Sequence, residues 1–213
     1  MRFISLFLAA GLLLVGTDAF SQPKRIELSV MAGHQFGAVV DETTKDEGVD
    51  SLGLALGALG AATFGVILDY HITPKMYLQL SWDHQPTQLE FIDRPADTTS
   101  ILTDLAVNYY QAGLIYNWSD SSRQPFIGMT FGVAHWVTNG DFRDETGFVF
   151  TPMFGYQAWV SDYFGLRIVG KVMISNMPAG TIFTSTSTGQ GFEHTKNTWV
   201  TQVSLGVGLT VGK

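Results

Sequence analysis

The sequence contains no cysteine, and only 15% of its 213 residues are charged, against about 25% in an ordinary soluble domain. Without cysteine the chain has no disulfide framework, no thiolate nucleophile and no cysteine-ligated metal. The formal net charge of −7 argues against a nucleic-acid partner, because such binders need a basic face that neutralises phosphates. The chain is instead 46% hydrophobic and holds 23 glycines, which excludes disorder and suits one domain with a sizeable core.

Residues 1–21 have the features of a secretory signal peptide. Arg2 supplies a positive charge, residues 3–15 (FISLFLAAGLLLV) are uninterruptedly apolar, and Ala19 and Ser21 are small residues at the positions that signal peptidase reads. The apolar run is shorter than the roughly 20 residues of a membrane-spanning helix, so an uncleaved anchor is the weaker alternative. We predict cleavage after Ser21, which leaves a mature domain at residues 22–213.

Beyond residue 21 the large apolar residues recur at every second position, the period of a β-strand. In residues 199–211 the odd positions are almost all large and apolar, whereas the even positions are mostly small or polar. The longest apolar run, residues 52–68, contains Gly53 and Gly57 at the spacing of a transmembrane helix dimer, but its large residues share even positions and favour a strand. We predict eight strands, at about 26–38, 62–72, 76–91, 102–118, 125–137, 147–160, 164–177 and 199–211.

The connections between these strands alternate in length. Short connections lie at 73–75, 119–124 and 161–163, and long polar stretches lie near 39–51, 92–101, 138–146 and 178–198. Transmembrane barrels have short turns on the periplasmic side and long loops outside. The sequence therefore predicts an all-β fold, an eight-stranded antiparallel up-and-down transmembrane β-barrel with short periplasmic turns and longer extracellular loops.

The two faces of the strands are unlike each other. The apolar faces carry more large residues than a water-facing sheet can expose, so we expect them to meet lipid. The other faces hold glycines, glutamines and charges suited to a narrow polar lumen that side chains fill. Five charges are expected to pair there in two layers, as a structural plug or, alternatively, as the gate of a small-ion pore: Glu27, Asp69, Asp83, Arg167 and Lys171. Arg167 is expected to neutralise both Glu27 and Asp69, and Lys171 is expected to pair with Asp83 one layer up. Five aromatic residues beside the strand ends are predicted to lie at the lipid interfaces: Tyr70, Trp118, Trp136, Tyr163 and Trp199.

Three stretches carry a family resemblance: IELSVMAGHQFG, PFIGMTFGVAHW and TQVSLGVGLTVGK. With them the chain resembles the small OmpA-like and OmpX-like bacterial outer-membrane β-barrel proteins over residues 22–213. The last stretch resembles their C-terminal assembly signal, with Ser204, Gly206, Leu209 and Val211 at the matching positions, although a terminal aromatic is missing and Gly212 and Lys213 are added. The resemblance implies the outer membrane of a Gram-negative bacterium, a monomer, and as partners the outer-membrane lipids, lipopolysaccharide and the assembly machinery.

Candidate chemistry is sparse. The histidines are His34, His71, His84, His135 and His194, and none stands in a H-x-S, H-E-x-x-H or G-x-S-x-G pattern. By strand parity His84 and His135 point towards lipid, so a catalytic group with Asp83 and His34 at the rim would need a bulge. We therefore predict no catalytic residue, no metal site and no cofactor.

Two long connections have distinct compositions. The first carries Asp41, Glu42, Asp46, Glu47 and Asp50 against Lys45 alone, a solvated surface or a weak divalent-cation site that bridges to lipopolysaccharide. The last, residues 178–198, is rich in Thr, Ser and Gly and is expected to be a flexible surface loop, with possible adhesive use. The leading hypothesis is a non-enzymatic barrel with a structural or surface-interaction role, a plugged lumen and an extracellular ligand of unknown type. A transport channel for small or apolar solutes and a rim-sited lipid-modifying enzyme are the alternatives.

Overall fold

The structure, a computed structural model, describes residues 26–42, 54–58, 60–93, 98–119, 121–138, 144–177, 181–184, 191–194 and 198–212. These residues form the strands β1 (Ile26–Gln35), β2 (Ala38–Glu42), β3 (Leu54–Ala58), β4 (Ala61–His71), β5 (Met76–Asp93), β6 (Thr98–Asn117), β7 (Arg123–Thr138), β8 (Glu145–Trp159), β9 (Phe164–Met177), β10 (Thr181–Thr184), β11 (Gly191–His194) and β12 (Thr198–Gly212). In the described part of the chain there is no helix long and apolar enough to cross a membrane. The predicted signal peptide lies outside these residues.

Eight of the strands close into an antiparallel barrel. Strands β1, β4, β5, β6, β7, β8, β9 and β12 each pair with the next in that order. The last strand, β12, then pairs with β1 from Glu27–Gly212 to Gln35–Ser204. Closure leaves the barrel wall without a free edge. The predicted all-β fold with eight barrel strands is confirmed.

The strands are offset as they pair around the barrel. A circuit of paired residues that leaves β1 at Ile26 returns to β1 beside Phe36, whose amide donates to the carbonyl of Val203 at 2.8 Å. This ten-residue shift is the shear of the barrel, and with eight strands it tilts each strand by about 40° from the barrel axis. The interior of so narrow a barrel is filled by side chains rather than by a wide channel.

The short turns lie where the sequence predicts them, between β4 and β5, β6 and β7, and β8 and β9. Hydroxyl side chains build them: Thr73 Oγ1 accepts the amide of Met76 at 3.0 Å, and Ser161 Oγ accepts the amide of Phe164 at 3.1 Å. Such side-chain bonds to nearby backbone amides favour tight turns. The three turns define one end of the barrel, called here the short-turn end, and the opposite end is the loop end.

The loop end differs from the prediction in three places. The connection expected at 92–101 is mostly strand, because β5 and β6 remain paired as far as Asp93–Thr98. Three of the four residues at 98–101 are β-branched, Thr98, Thr99 and Ile101, which suits this extension of the hairpin beyond the barrel. Strand β3 pairs with the same part of β5 and β2 pairs with β3, so one side of the wall rises above the rest. Within the predicted flexible loop at 178–198, β10 and β11 form a small hairpin.

The two faces of the wall carry opposite kinds of side chain. Along β12 the outward residues Val203, Leu205, Val207 and Leu209 are exposed, whereas Gln202, Ser204 and Thr210 are buried inside. The same inversion recurs on each barrel strand, and the exposed set consists mainly of Leu, Val, Ile, Phe, Met and Tyr. An apolar band of this size around a closed barrel is the surface that a lipid bilayer covers.

Candidate functional site in the barrel lumen

A network of buried polar groups crosses the lumen near the short-turn end. Arg167 on β9 donates from Nη1 to Asp69 Oδ2 on β4. Beside this pair, His71 Nε2 lies 2.7 Å from Glu27 Oε1 on β1. Gln157 on β8 donates to the other oxygen of Glu27 at 2.7 Å. These five residues, called here the lower layer, link four strands and leave neither carboxylate without a partner.

Arg167 is the largest fully buried side chain of the described residues, at 1% exposure. Its guanidinium carbon lies 4.6 Å from the ring centre of Phe126, which provides a cation–π contact. Gln79 helps to fix the Asp69 carboxylate, because Gln79 Nε2 donates to Asp69 Oδ1 at 2.9 Å. A buried charge is tolerated only when it is paired and hydrogen-bonded. The guanidinium is therefore held in place by a carboxylate and an aromatic ring together.

Above the lower layer the lumen is filled by apolar side chains. On β9, Val169 separates Arg167 from Lys171. Val169 belongs to a buried cluster that reaches across to β1, β4, β5, β6, β7 and β8: Met31, Ile67, Tyr77, Ile115, Phe126, Met153 and Val169. The five members other than the two aromatic residues are called here the apolar layer. On β9 this cluster lies between the two charged residues, and buried polar side chains such as Gln79 and Gln111 complete the filling of the lumen.

A second ion pair lies beyond the apolar layer, towards the loop end. Lys171 Nζ on β9 donates to both carboxylate oxygens of Asp83 on β5, at 2.7 and 2.8 Å. This pair is called here the upper layer. Farther along, Tyr109 donates to Gln202 at 2.7 Å, and Gln35 donates to the same Gln202 oxygen at 2.6 Å. Uncharged side chains therefore continue the hydrogen bonding towards the loop end.

Two inward glycines make room for these layers. A Cβ on Gly65 would lie 2.7 Å from Asp83 Oδ1 in the upper layer, and a Cβ on Gly155 would collide with the ring of Phe126 beside Arg167. Both positions sit between paired strands that approach closely. Glycine is the residue that permits such close contact. Any larger side chain at either position would displace a group that holds an ion pair.

The structure places all five predicted lumen charges inside the barrel, where they are buried. It brings together Arg167 with Asp69 and Lys171 with Asp83. The partners of Glu27 are His71 and Gln157 rather than Arg167, against the expectation that one arginine serves both carboxylates. The position along the barrel axis explains these partners, because Glu27 and His71 lie closer to the short-turn end than Arg167 does.

The predicted interface aromatics divide into two groups. Tyr70, Trp118, Tyr163 and Trp199 are exposed at the strand ends. The prediction for Trp136 is wrong, because its side chain is 6% exposed and points inward. Trp136 occupies an even position on β7, as do Thr130 and Ala134, which also face the lumen. Strand parity therefore determines the direction of its side chain, and nearness to a strand end does not. Trp136 therefore fills the lumen near the loop end.

The residues considered for catalysis do not assemble. Asp83 points inward to Lys171, whereas His84 points outward to Asn108. His135 is also on the outer side, 3.9 Å from Asp144. In the described ranges no three His, Cys, Asp or Glu side chains are placed to hold a metal ion. Of the acidic first connection, residues 43–50 lie outside the described part, as do the side chains of Asp41 and Glu42.

At the end of β12 the residues of the expected assembly signal divide between the faces. Ser204 is buried and Gly206 shares its inward face, whereas Leu209 and Val211 are exposed on the outer face. This arrangement leaves the two hydrophobic positions accessible from outside the wall. Their reading by an assembly machinery stays a prediction.

A cavity of about 450 Å³ opens at the short-turn end. Its walls include Glu27 and His71 of the lower layer, Tyr77, Gln124, Trp159 and Asp162. Of the lower layer only Glu27 and His71 are among the described lining residues, and no member of the apolar layer is among them.

The geometry of a closed eight-stranded barrel with an apolar exterior is shared by known proteins. No protein-family model matches the chain, and no curated protein sequence matches it. Among solved structures, Neisserial surface protein A is 13% identical, with 90% of this chain and 100% of that chain covered and a TM-score of 0.57. OprG from Pseudomonas aeruginosa is 11% identical, with 89% and 97% covered and a TM-score of 0.57. AlkL, solved in lipid bilayers, is 10% identical, with 92% and 94% covered and a TM-score of 0.53.

The chain therefore has the fold of the small eight-stranded outer-membrane β-barrels. The predicted resemblance to that group is confirmed at the level of the fold. At these identities the neighbours carry no information on the activity of this chain, because one barrel serves many functions.

Sequence reasoning missed several lumen residues. His71 shares the inward parity of Asp69 two positions earlier, so the alternation along β4 would have found it. The inward positions of Gln35 and Tyr109 could also have been predicted from strand parity, but nothing in the local sequence marks them as hydrogen-bond partners of Gln202. The apolar layer was not predicted, because inward apolar residues such as Met31 and Met153 carry no charge that marks them as part of the lumen filling.

Proposed function

We propose that the protein is an integral outer-membrane barrel without enzymatic activity, whose role is structural or is exercised by its cell-surface loops, and whose lumen is closed. The short-turn end faces the periplasm, and the loop end faces outward. Export through the predicted signal peptide, with cleavage after Ser21, precedes assembly. Its partners are outer-membrane lipids, lipopolysaccharide and the assembly machinery, and it acts as a monomer.

The observation that carries the proposal is the layered filling of the lumen. The apolar layer between Arg167 and Lys171 contains buried side chains from β1, β4, β6, β8 and β9. An ion that entered from the short-turn end would meet the lower layer and then the apolar layer. One that entered from the loop end would meet Gln35, Tyr109 and Gln202 before the upper layer and the apolar layer. Moving a charge into such surroundings is strongly unfavourable. A closed lumen favours a structural or surface role over transport along the axis.

The outer surface supports the proposed membrane location independently. Val207 is 54% exposed at the middle of β12, whereas its neighbour Gly206 lies on the inward face. An arginine near the midplane of a barrel costs about 2–4 kcal/mol when it faces lipid. Val207→Arg should therefore reduce the yield of protein folded into vesicles far more than Gly206→Ala, whose added methyl group has contacts of 3.5 Å or more. Equal yields for the two variants would contradict a lipid-facing exterior.

The experiment for the whole proposal combines location and closure. The protein, expressed in a Gram-negative host, should fractionate with the outer membrane, resist extraction by carbonate and migrate as a heat-modifiable band, since a closed barrel has no free edge for detergent to open. Vesicles that contain the folded protein should then swell in an arabinose solution no faster than vesicles of lipid alone. Extraction by carbonate without detergent would contradict the location, and rapid swelling would contradict closure.

A further inference from the structure

The outer face of the barrel carries three polar residues side by side in one ladder row, which continues to the exposed Thr146 on β8 as the partner of His135. His84 on β5 pairs with Asn108 on β6, and Asn108 pairs with His135 on β7. All three have the outward parity of the exposed residues Tyr110 and Val133. Polar side chains on the lipid face of a membrane protein are costly unless they find partners. We call this set the polar row.

The opposite wall has no such row at the same level. The ion pair between Asp83 and Lys171 fixes corresponding levels on β5 and β9. The next residue after Asp83 is His84, whereas the next after Lys171 is Val172, which pairs with Val203 on β12. Both valines face outward. Outward polar residues on other strands, such as His34 on β1 and Thr201 on β12, lie outside the polar row.

The side chains around Asn108 are organised. Asn108 Oδ1 accepts from His84 Nδ1 at 2.8 Å and from Trp82 Nε1 at 3.4 Å. The ring of Phe64 lies 4.9 Å from the His84 ring and 5.5 Å from the Trp82 ring, centre to centre. Within the described contacts, Asn108 Nδ2 and His84 Nε2 have no partner from the protein. A fixed amide group and a fixed imidazole nitrogen thus lie beside aromatic rings on a lipid-facing surface.

These groups match the chemistry of a sugar. Hydroxyl groups both donate and accept hydrogen bonds, so they satisfy an amide NH₂ and a neutral imidazole nitrogen together. The C–H faces of a sugar ring are apolar and can rest on an aromatic surface such as Trp82 or Phe64. The basic side chains that the structure describes lie elsewhere: Lys75 and Arg123 at the short-turn end, Arg167 and Lys171 in the lumen. Among the residues that the structure describes, no Lys or Arg lies beside the polar row to pair with a phosphate, whereas the amide and imidazole groups suit hydroxyls.

We propose that the polar row binds the sugar headgroup of a glycolipid in the outer leaflet. The inference rests on the proposed membrane location, because only then does this face meet lipid. Asn108 donates to sugar hydroxyls, His84 Nε2 accepts from them, and Trp82 and Phe64 support the ring. The headgroup supplies the hydrogen bonds that hydrocarbon chains cannot. The lipid-facing surface then has one side selective for a lipid class.

The test compares lipids retained by the folded protein. Full mature protein is inserted into phosphatidylcholine nanodiscs doped with a neutral galactolipid, or with phosphatidylglycerol as a phosphate-bearing lipid without a sugar. Native mass spectrometry then counts the lipids that stay bound on release. The variants are Asn108→Leu and Trp82→Leu, and the control is Thr201→Leu, an outward, exposed polar position on β12. A heat-modifiable band confirms folding of each protein.

Wild type and Thr201→Leu should retain the galactolipid in preference to phosphatidylcholine. Asn108→Leu should lower that retention by about fivefold, the effect of one neutral hydrogen bond, and Trp82→Leu should also lower it. Undiminished galactolipid retention by folded Asn108→Leu would overturn the proposal. Equal enrichment of phosphatidylglycerol would overturn it in favour of a phosphate site. Failure of wild type to insert into any nanodisc would instead contradict the membrane location.

Discussion

The lower and upper layers of the lumen neutralise charge in different ways. In the lower layer, Arg167 pairs with Asp69 while Glu27 is held by His71 and Gln157, so that two adjacent hydrogen-bonded groups together involve four strands. In the upper layer a single lysine bonds both oxygens of a single carboxylate, Asp83. The Asp83 side chain keeps 13% of its surface exposed, against 3% for Asp69. The Arg167–Asp69 pair is thus drier than the upper layer, and the lower layer joins more strands.

The difference follows from the shapes of the two cations. A guanidinium is planar, and it can bond a carboxylate at its edge while an aromatic ring covers its face. Arg167 uses both directions, towards Asp69 and towards Phe126. A lysine ammonium is a point charge with three donors, and Lys171 directs it to one carboxylate. Loss of the arginine should therefore disturb more contacts than loss of the lysine.

The largest loss in the free energy of unfolding is expected for Arg167→Met. The change leaves Asp69 buried without its cation and removes the contact with Phe126, and breaking a buried pair in this way costs about 3–5 kcal/mol. Urea unfolding of protein refolded into lipid vesicles measures the free energy of unfolding. Arg123→Met, at an exposed arginine at the start of β7, is the matched control and should change stability little. A loss no larger than that of the control would show that the lower layer is not a dry network.

A smaller effect is expected for Lys171→Met. The variant leaves the Asp83 carboxylate without its donor, but this side chain retains contact with solvent. An unsatisfied buried polar group costs about 1–3 kcal/mol, so the free energy of unfolding should fall by less than for Arg167→Met. The same urea titration measures it, with Lys75→Met in the first short turn as control. A reversed order of the two losses would contradict the comparison between the layers.

The smallest effect is expected for His71→Gln. A glutamine at this position can donate to Glu27, and Gln157 continues to donate to the other oxygen. The cavity at the short-turn end also gives this region access to water. We expect a loss of about 0.5–1.5 kcal/mol, the net value of one hydrogen bond. His34→Gln, on the exposed outer face of β1, is the control. A loss as large as that of Arg167→Met would place His71 at the centre of the lower layer.

The sequence predicted which face of the wall each charge occupies, and the reason is local. Alternation along one strand fixes whether a side chain points inward, and it placed Asp69, Asp83, Arg167 and Lys171 correctly in the lumen. Where parity was set aside for nearness to a strand end, as for Trp136, the prediction was wrong.

Contacts between residues on opposite walls of the lumen could be predicted less well than the face on which each residue lies. Contact between strands on opposite walls depends on the shear, which is the sum of eight pairing registers and is not encoded in any one segment. The level of Glu27 relative to His71 and Arg167 is set in this way, and so is the triad of Gln35, Tyr109 and Gln202. The extended hairpin of β5 and β6 was missed because polar residues at 92–101 resemble a loop.

A double-mutant cycle at Asp69 and Arg167 tests the central claim, that ion pairs close a dry lumen, most directly. The cycle measures the free energy of unfolding in lipid vesicles for wild type, Asp69→Asn, Arg167→Met and the double variant. The double variant should recover part of the loss caused by Arg167→Met, because no unpaired carboxylate remains, and the coupling energy should exceed about 1 kcal/mol. A coupling below about 0.5 kcal/mol, the value of an exposed ion pair, would contradict a dry lumen closed by these layers.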